Sequence, residues 1–271
     1  MRRQLVTLML TVIFSITAVV PGFAASASIP AADKIKAMEI MLYGAVQEGS
    51  LVERMDTIEY DVNGLMTSEP ILERIDEMHA YLTQKGEDGG AAFVTRLNTV
   101  EWRLNESMSG GPAKTRIEVV EKLLNGKATD GALSTRLEEL LEVVSYEGGV
   151  VPVQEVTLPK DSVIKVEFTK ELGNKISKVG DEVSFKAADN LYVNDVLVLP
   201  KGATGVGKVK KVVQPGIFGK DGRVDVDFMF INGVDGTHIP VFVGELAKQQ
   251  AKSYAGAAGA AIGGMIILGP V

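Results

Sequence analysis

The sequence predicts an α+β protein in two parts: an N-terminal array of short amphipathic helices, then a small antiparallel β-barrel or sandwich. Three observations predict it. A phrase built on one basic residue recurs at Lys34, Arg54, Arg74, Arg96, Arg116 and Arg136, with intervals of 20, 20, 22, 20 and 20 residues. Beyond Gly148 the apolar spacing changes to alternation with period two. The 271 residues are 46% hydrophobic and 23% charged, which sets aside a disordered chain.

The chain opens with MRRQLVTLMLTVIFSITAVVPGFAASAS. Arg2 and Arg3 form a positive start, Leu5 to Val20 an apolar run, and Pro21-Gly22 a break before small residues. That order predicts a cleaved secretory signal over 1–27, with cutting after Ala27 or, as the alternative, Ala24. The 16-residue run is short for a bilayer span.

The helical array is expected over 28–147. One residue after each basic position stand Ile35, Met55, Ile75, Leu97, Ile117 and Leu137. Four after come Met38, Ile58, Met78, Val100, Val120 and Leu140, and eight after come Leu42, Val62, Leu82, Leu104, Leu124 and Val144. These offsets draw one apolar stripe along a helix of three to four turns. Gly44, Gly64 and Gly126 stand ten after the basic residue, where the helix should stop. The regular glycines argue for separate helices rather than one long coiled coil. A single stripe cannot be buried alone, so the helices must stack. The accompanying column Glu39, Glu59, Glu101 and Glu121 is expected, with the arginines, to solvate a face or pair between neighbours.

A linker is expected over 148–158 and a β domain over 159–254. Its strands read VIKVEF (163–168), EVSFKA (182–187), LYVNDVLVLP (191–200), GVGKVKKVV (205–213), RVDVDFMFI (223–231) and THIPVFV (237–243). Lys220-Asp221-Gly222 and Asp235-Gly236 mark hairpin turns. Inside this region GATGVGKV places Gly202, Gly207 and Lys208 at the spacing of a phosphate-binding loop. Such a loop needs a helix after it, and its Lys should be followed by Ser or Thr; here Val209 follows and a strand is expected. The match is therefore read as accidental.

Other chemistry is sparse. The 2 histidines, His79 and His238, lie far apart, and with 0 cysteines there is no zinc or thiol site to build. Asp225 and Asp227, two apart on a strand, read as a solvated face, and Glu167 and Glu171 as ordinary surface. Lys208, Lys210 and Lys211 are the only dense basic patch in a chain of net charge −7, which argues against nucleic acid. Trp102 is the only tryptophan.

From Leu199 to Gly264 the chain resembles the C-terminal domain of TrbI-type conjugal-transfer proteins. The similarity rests on Pro200, Gly202, Gly207, Arg223, Val224, Val226, Ile231, Asp235, Gly236 and Ile239. It implies a β-barrel scaffold subunit of an envelope assembly and brings no catalytic residues. Those proteins are usually anchored in the inner membrane, whereas a cleavable signal and a helical array stand here.

The last segment, Ala255–Val271, is uncharged and rich in Gly and Ala. It is expected either to meet a membrane or to pack on the barrel as a hairpin or helix. The chain stops inside an apolar run without a closing strand, the pattern of a C-terminally truncated protein. Together these features predict a non-enzymatic exported cell-envelope protein in the periplasm or outer envelope, its helical array a spacer or oligomerisation stalk and its β domain an assembly module in contact with a membrane. Its partners would be other envelope proteins or itself; catalytic, metal, cofactor, nucleotide and nucleic-acid sites are not expected. The alternative is a secreted protein binding a polysaccharide or peptide. An enzyme using paired carboxylates is the weakest reading, for no such pair has a recognisable setting.

Overall fold

The computed structural model describes residues 29–86, 89–145, 149–159, 162–215, 222–243 and 263–268. The expected signal peptide and most of the 255–271 segment lie outside them, as do Lys220 and Asp221 of one expected turn. Six helices follow one another: α1 (Ala31–Tyr43), α2 (Leu51–Asn63), α3 (Ile71–Thr83), α4 (Phe93–Asn105), α5 (Ala113–Asn125) and α6 (Leu133–Val144). Each is about 20 Å long at 1.5 Å per residue. Gly64 and Gly126 close α2 and α5 in the left-handed region, at φ 76° and 75°. The stripe residues form one shared core, with Ile35, Met38, Ile58, Ile75, Leu97, Ile117 and Leu137 fully buried.

The array is not linear. Besides neighbours in sequence, α1 packs on α3 and α5, α2 on α6, and α4 on α6. In an open solenoid each unit touches only its neighbours; here the later helices fold back over the first ones and the result is a bundle.

Ion pairs set the spacing of consecutive helices. The Glu five after one basic residue meets the Arg of the next helix, 15 positions on, through two parallel hydrogen bonds. Arg54 donates to Glu39 (2.7 and 2.6 Å), Arg74 to Glu59 (3.0 and 2.5 Å), Arg116 to Glu101 (3.0 and 2.7 Å) and Arg136 to Glu121 (2.8 and 2.7 Å). Each carboxylate also accepts from a backbone N–H in the intervening turn, those of Gln47, Thr67, Ser109 and Thr129. One carboxylate thus fixes the helix that bears it, the turn that follows and the start of the next helix. The junction between α3 and α4 lacks this pairing. His79 stands where Glu would be, and Arg96 lies instead over the Tyr81 ring (5.2 Å) and 3.7 Å from Glu138. This is also the one interval of 22 residues.

The strands are β1 (Val163–Phe168), β2 (Glu182–Ala187), β3 (Leu191–Val193), β4 (Val196–Leu199), β5 (Thr204–Val213), β6 (Arg223–Asn232), β7 (His238–Phe242) and β8 (Gly263–Leu268). Six of them form one curled antiparallel sheet in the order β1-β2-β5-β6-β7-β8, while β3 and β4 make a separate two-stranded ribbon. Two expectations are corrected here. The stretch 191–200 is not one strand but the β3–β4 hairpin, because Asn194 and Asp195 take positive φ (50° and 65°), as a tight two-residue turn requires. Residues 263–268 are neither helix nor a separate apolar segment: β8 pairs with β1 from Val163↔Ile267 to Glu167↔Gly263 and with β7 at Val241↔Leu268. The missing closing strand is therefore present, and the β part extends past 254.

The expected linker is not free either. Val151 packs against the helical core and Val156 and Leu158 against the sheet core, and helices and sheet form one compact unit. The turn after α4 reaches furthest: Met108 is buried in the sheet core, and its N–H donates to the Lys201 carbonyl (2.8 Å). Gly202, at φ 83°, lies so close beneath that turn that a Cβ would stand 2.1 Å from the Met108 carbonyl oxygen.

Two stability predictions follow from this geometry. Arg136→Met strands a buried carboxylate and is expected to lower unfolding stability by about 3–5 kcal/mol. Arg96→Met strands none and should cost about 1 kcal/mol or less; urea titrations of the two variants compare them. Gly202→Ala combines backbone strain with a collision and should cost at least about 1–3 kcal/mol in the same titration.

Candidate functional site: a groove between bundle and sheet

The groove arises because the bundle and the sheet are held apart at a few fixed points. Asn98, 2% exposed, accepts from Arg116 Nη2 (2.6 Å) and donates to the Val234 carbonyl (2.8 Å). It thereby ties one Glu–Arg pair to the turn between β6 and β7. Trp102 Nε1 donates to Asn190 Oδ1 (3.3 Å), which also accepts from the Lys201 N–H (2.7 Å). Val94 meets the Gly236 turn. Val94, Asn98 and Trp102 are four apart, so α4 offers one face to the sheet.

Beside that seam lies a cavity of about 810 Å³, within the range of ligand clefts. One wall is α4, with Thr95, Thr99 and Trp102; another is the extended segment Val151–Leu158; the third comprises Val196–Val198 of β4 and the 234–237 turn. Among the described residues its charged lining residues are Lys85, Arg103, Glu155 and Asp235, two of each sign. Among the described residues Trp102 is its only aromatic one.

Of the residues singled out from sequence, Trp102, Asp235 and Ile239 line the groove, and the other candidate groups lie elsewhere. The loop-like glycines serve the β structure. Gly202 makes room for Met108, while a Cβ at Gly205 would collide with the Phe185 ring (2.3 Å) and one at Gly207 with the Asp227 carbonyl (2.7 Å). Lys208 is on β5, a strand, where that motif needs a helix. Lys208, Lys210 and Lys211 are exposed, and in register Asp227 faces Lys208 and Asp225 faces Lys211. Glu167 lies 3.4 Å from Lys186. His238 stacks on Phe230 (4.0 Å), remote from the half-buried His79. Burial, with Lys34 nearby, keeps the His79 imidazole below its usual pKa. Among the described residues no group of three or more acidic or histidine side chains could hold a metal ion.

The Glu and Arg columns pair between neighbours but do not form a solvated face: Glu39, Glu59, Glu101 and Glu121 are at most 3% exposed. Burial alone would raise the Glu121 carboxyl, yet hydrogen bonds from Arg136 and Thr129 outweigh it and hold it at about 2. Glu59 is shifted the same way, burial being overcome by Arg74 and Thr67. The groove itself escaped sequence reasoning because four distant segments build it.

No protein-family model matches the chain, and neither a curated protein nor a solved structure matches it.

The sign of the acid dependence follows from the lowered carboxyls. The unfolded chain takes up protons first as pH falls, so this stability is whole above about pH 5 and lost from there towards about pH 2. The thermal midpoint of the helical circular dichroism signal should drop over that window. Glu121→Gln should lower the midpoint at neutral pH and flatten the drop.

Proposed function

We propose that the protein is a non-enzymatic, exported cell-envelope component whose bundle and sheet act as one rigid assembly module. The observation that carries this reading is the use of its buried charge. The four buried carboxylates, Glu39, Glu59, Glu101 and Glu121, are each clamped by a guanidinium and by backbone N–H groups. A general acid or base needs a proton it can exchange near working pH, and Glu59 and Glu121 are driven the other way. The N-terminal signal pattern supports export. The resemblance of 199–264 to TrbI-type domains, together with β8 pairing to both β1 and β7, supports reading the sheet as a small closed barrel of scaffold type. The fold-back of α1 on α5 and α2 on α6 favours a compact module over a drawn-out spacer. Among the described residues no helix is long and apolar enough to cross a membrane.

A second reading, a secreted binding protein, is favoured by the groove alone, since its open cavity lies at a fixed joint between two parts. Fractionation separates the readings. An assembly component should sediment with envelope membranes in complexes that survive a high-salt wash; recovery as a soluble monomer in the medium favours the second. Deleting 255–271 removes β8, so it should lower the thermal midpoint of the β signal by several degrees rather than release an intact protein from the envelope.

A further inference from the structure

We propose that the groove is a strand-accepting site, filled by an extended polypeptide segment that pairs through its backbone with Val151–Leu158. This rests on the binding reading of the groove and names its ligand class.

The wall itself selects the ligand. Val151–Leu158 runs extended, and among the described residues none of its backbone N–H or C=O groups has a hydrogen-bond partner in the protein. Its side chains hold it in place: Val151 is packed on one core, Val156 and Leu158 on the other, while Pro152, Gln154, Glu155 and Thr157 are exposed. It is a fixed strand without a sheet, about 26 Å long at 3.3 Å per residue. Anything that covers this wall without hydrogen-bonding to it leaves those groups unsatisfied, at about 1–3 kcal/mol each. An acyl chain would do so. A peptide strand supplies the complementary donors and acceptors along its whole length, as in strand addition to a sheet edge.

The rest of the lining fits the same ligand. Thr95 and Thr99 of α4 and Val196–Val198 of β4 both line the cavity, which suits a segment carrying small hydroxylated and branched apolar side chains. The two positive and two negative lining charges leave no net sign to attract a charged ligand. A sugar chain is poorly served, because stacking would fall to Trp102 alone and its N–H is already engaged by Asn190.

Trp102, the only tryptophan, reports on the site. The test uses the chain from residue 28 onward and a blocked peptide of alternating Thr and Val flanked by Glu and Lys. Its control is the same peptide with Pro in place of each Val, which lacks those N–H donors. The expected result is a saturable change in Trp102 emission with the Thr/Val peptide and at least tenfold weaker binding of the Pro peptide. Slowed amide exchange confined to 151–158 should accompany it. Gln154→Pro and Thr157→Pro remove donors at exposed wall positions. Because 154 and 157 point to opposite edges of an extended segment, the variant on the paired edge should weaken peptide binding about tenfold or more and the other should leave it unchanged, with the thermal midpoint of both unchanged to confirm folding. Equal binding of both peptides overturns the proposal, as does protection elsewhere without protection of 151–158. A saturable response to maltohexaose or dodecanoate in place of the peptide overturns it but keeps the groove as a binding site. No response to any probe overturns the proposal and the binding reading together.

Discussion

The bidentate Glu–Arg pair, repeated between consecutive helices, is the constraint on which the remaining architecture depends. Helices of 13 residues are marginal alone, and their apolar stripes would tolerate sliding by a turn. A planar guanidinium meeting a carboxylate in two parallel bonds does not tolerate it. The same carboxylate captures a backbone N–H that would otherwise be orphaned in the turn. Buried ion pairs are weak sources of net stability; their effect here is on register, which decides where every outward side chain on the next helix lies.

That register reaches the sheet through Asn98. Its side chain sits between Arg116 and the Val234 carbonyl, so the position of the β6–β7 turn is linked to the pairing of α4 with α5. Met108 and Gly202 fix a second point, and Trp102 with Asn190 a third. Three separated points define a rigid joint, and the cavity beside it keeps its shape because neither wall can swing. The segment 151–158, threaded between the two cores, is held extended for the same reason.

Much of the helical part was legible because the repeat writes one instruction several times, and the stripe, the turn glycines and the boundaries all agree with it. The spacing from Glu to Arg was equally regular, but charge columns usually face solvent, and only the packing shows that these are inside. Which helix would hold the sheet was not legible. On α2 the places of Val94 and Trp102 are taken by Val52 and Tyr60, yet these are 48% and 60% exposed. The hairpin at Asn194-Asp195 hid inside an apolar alternation that continued across it. β8 was hidden by composition: a Gly/Ala-rich apolar stretch has no alternation to read, and its strand character comes from β1 and β7 on either side.

The repeat also finishes itself chemically. Units α2 and α5 each lend a carboxylate forward and a guanidinium backward, so a copy of either inserted between two others would arrive with both halves of its connections. The first unit has no predecessor in the array, and there Lys34 replaces Arg and turns to Asp76. The last has no successor, and at the position of the forward carboxylate stands Leu141, 2% exposed. An acid there would be an unmatched charge indoors. The array is thus sealed at both ends, and its length can change by whole units only, which makes duplication of a coding segment the natural way for such a bundle to grow.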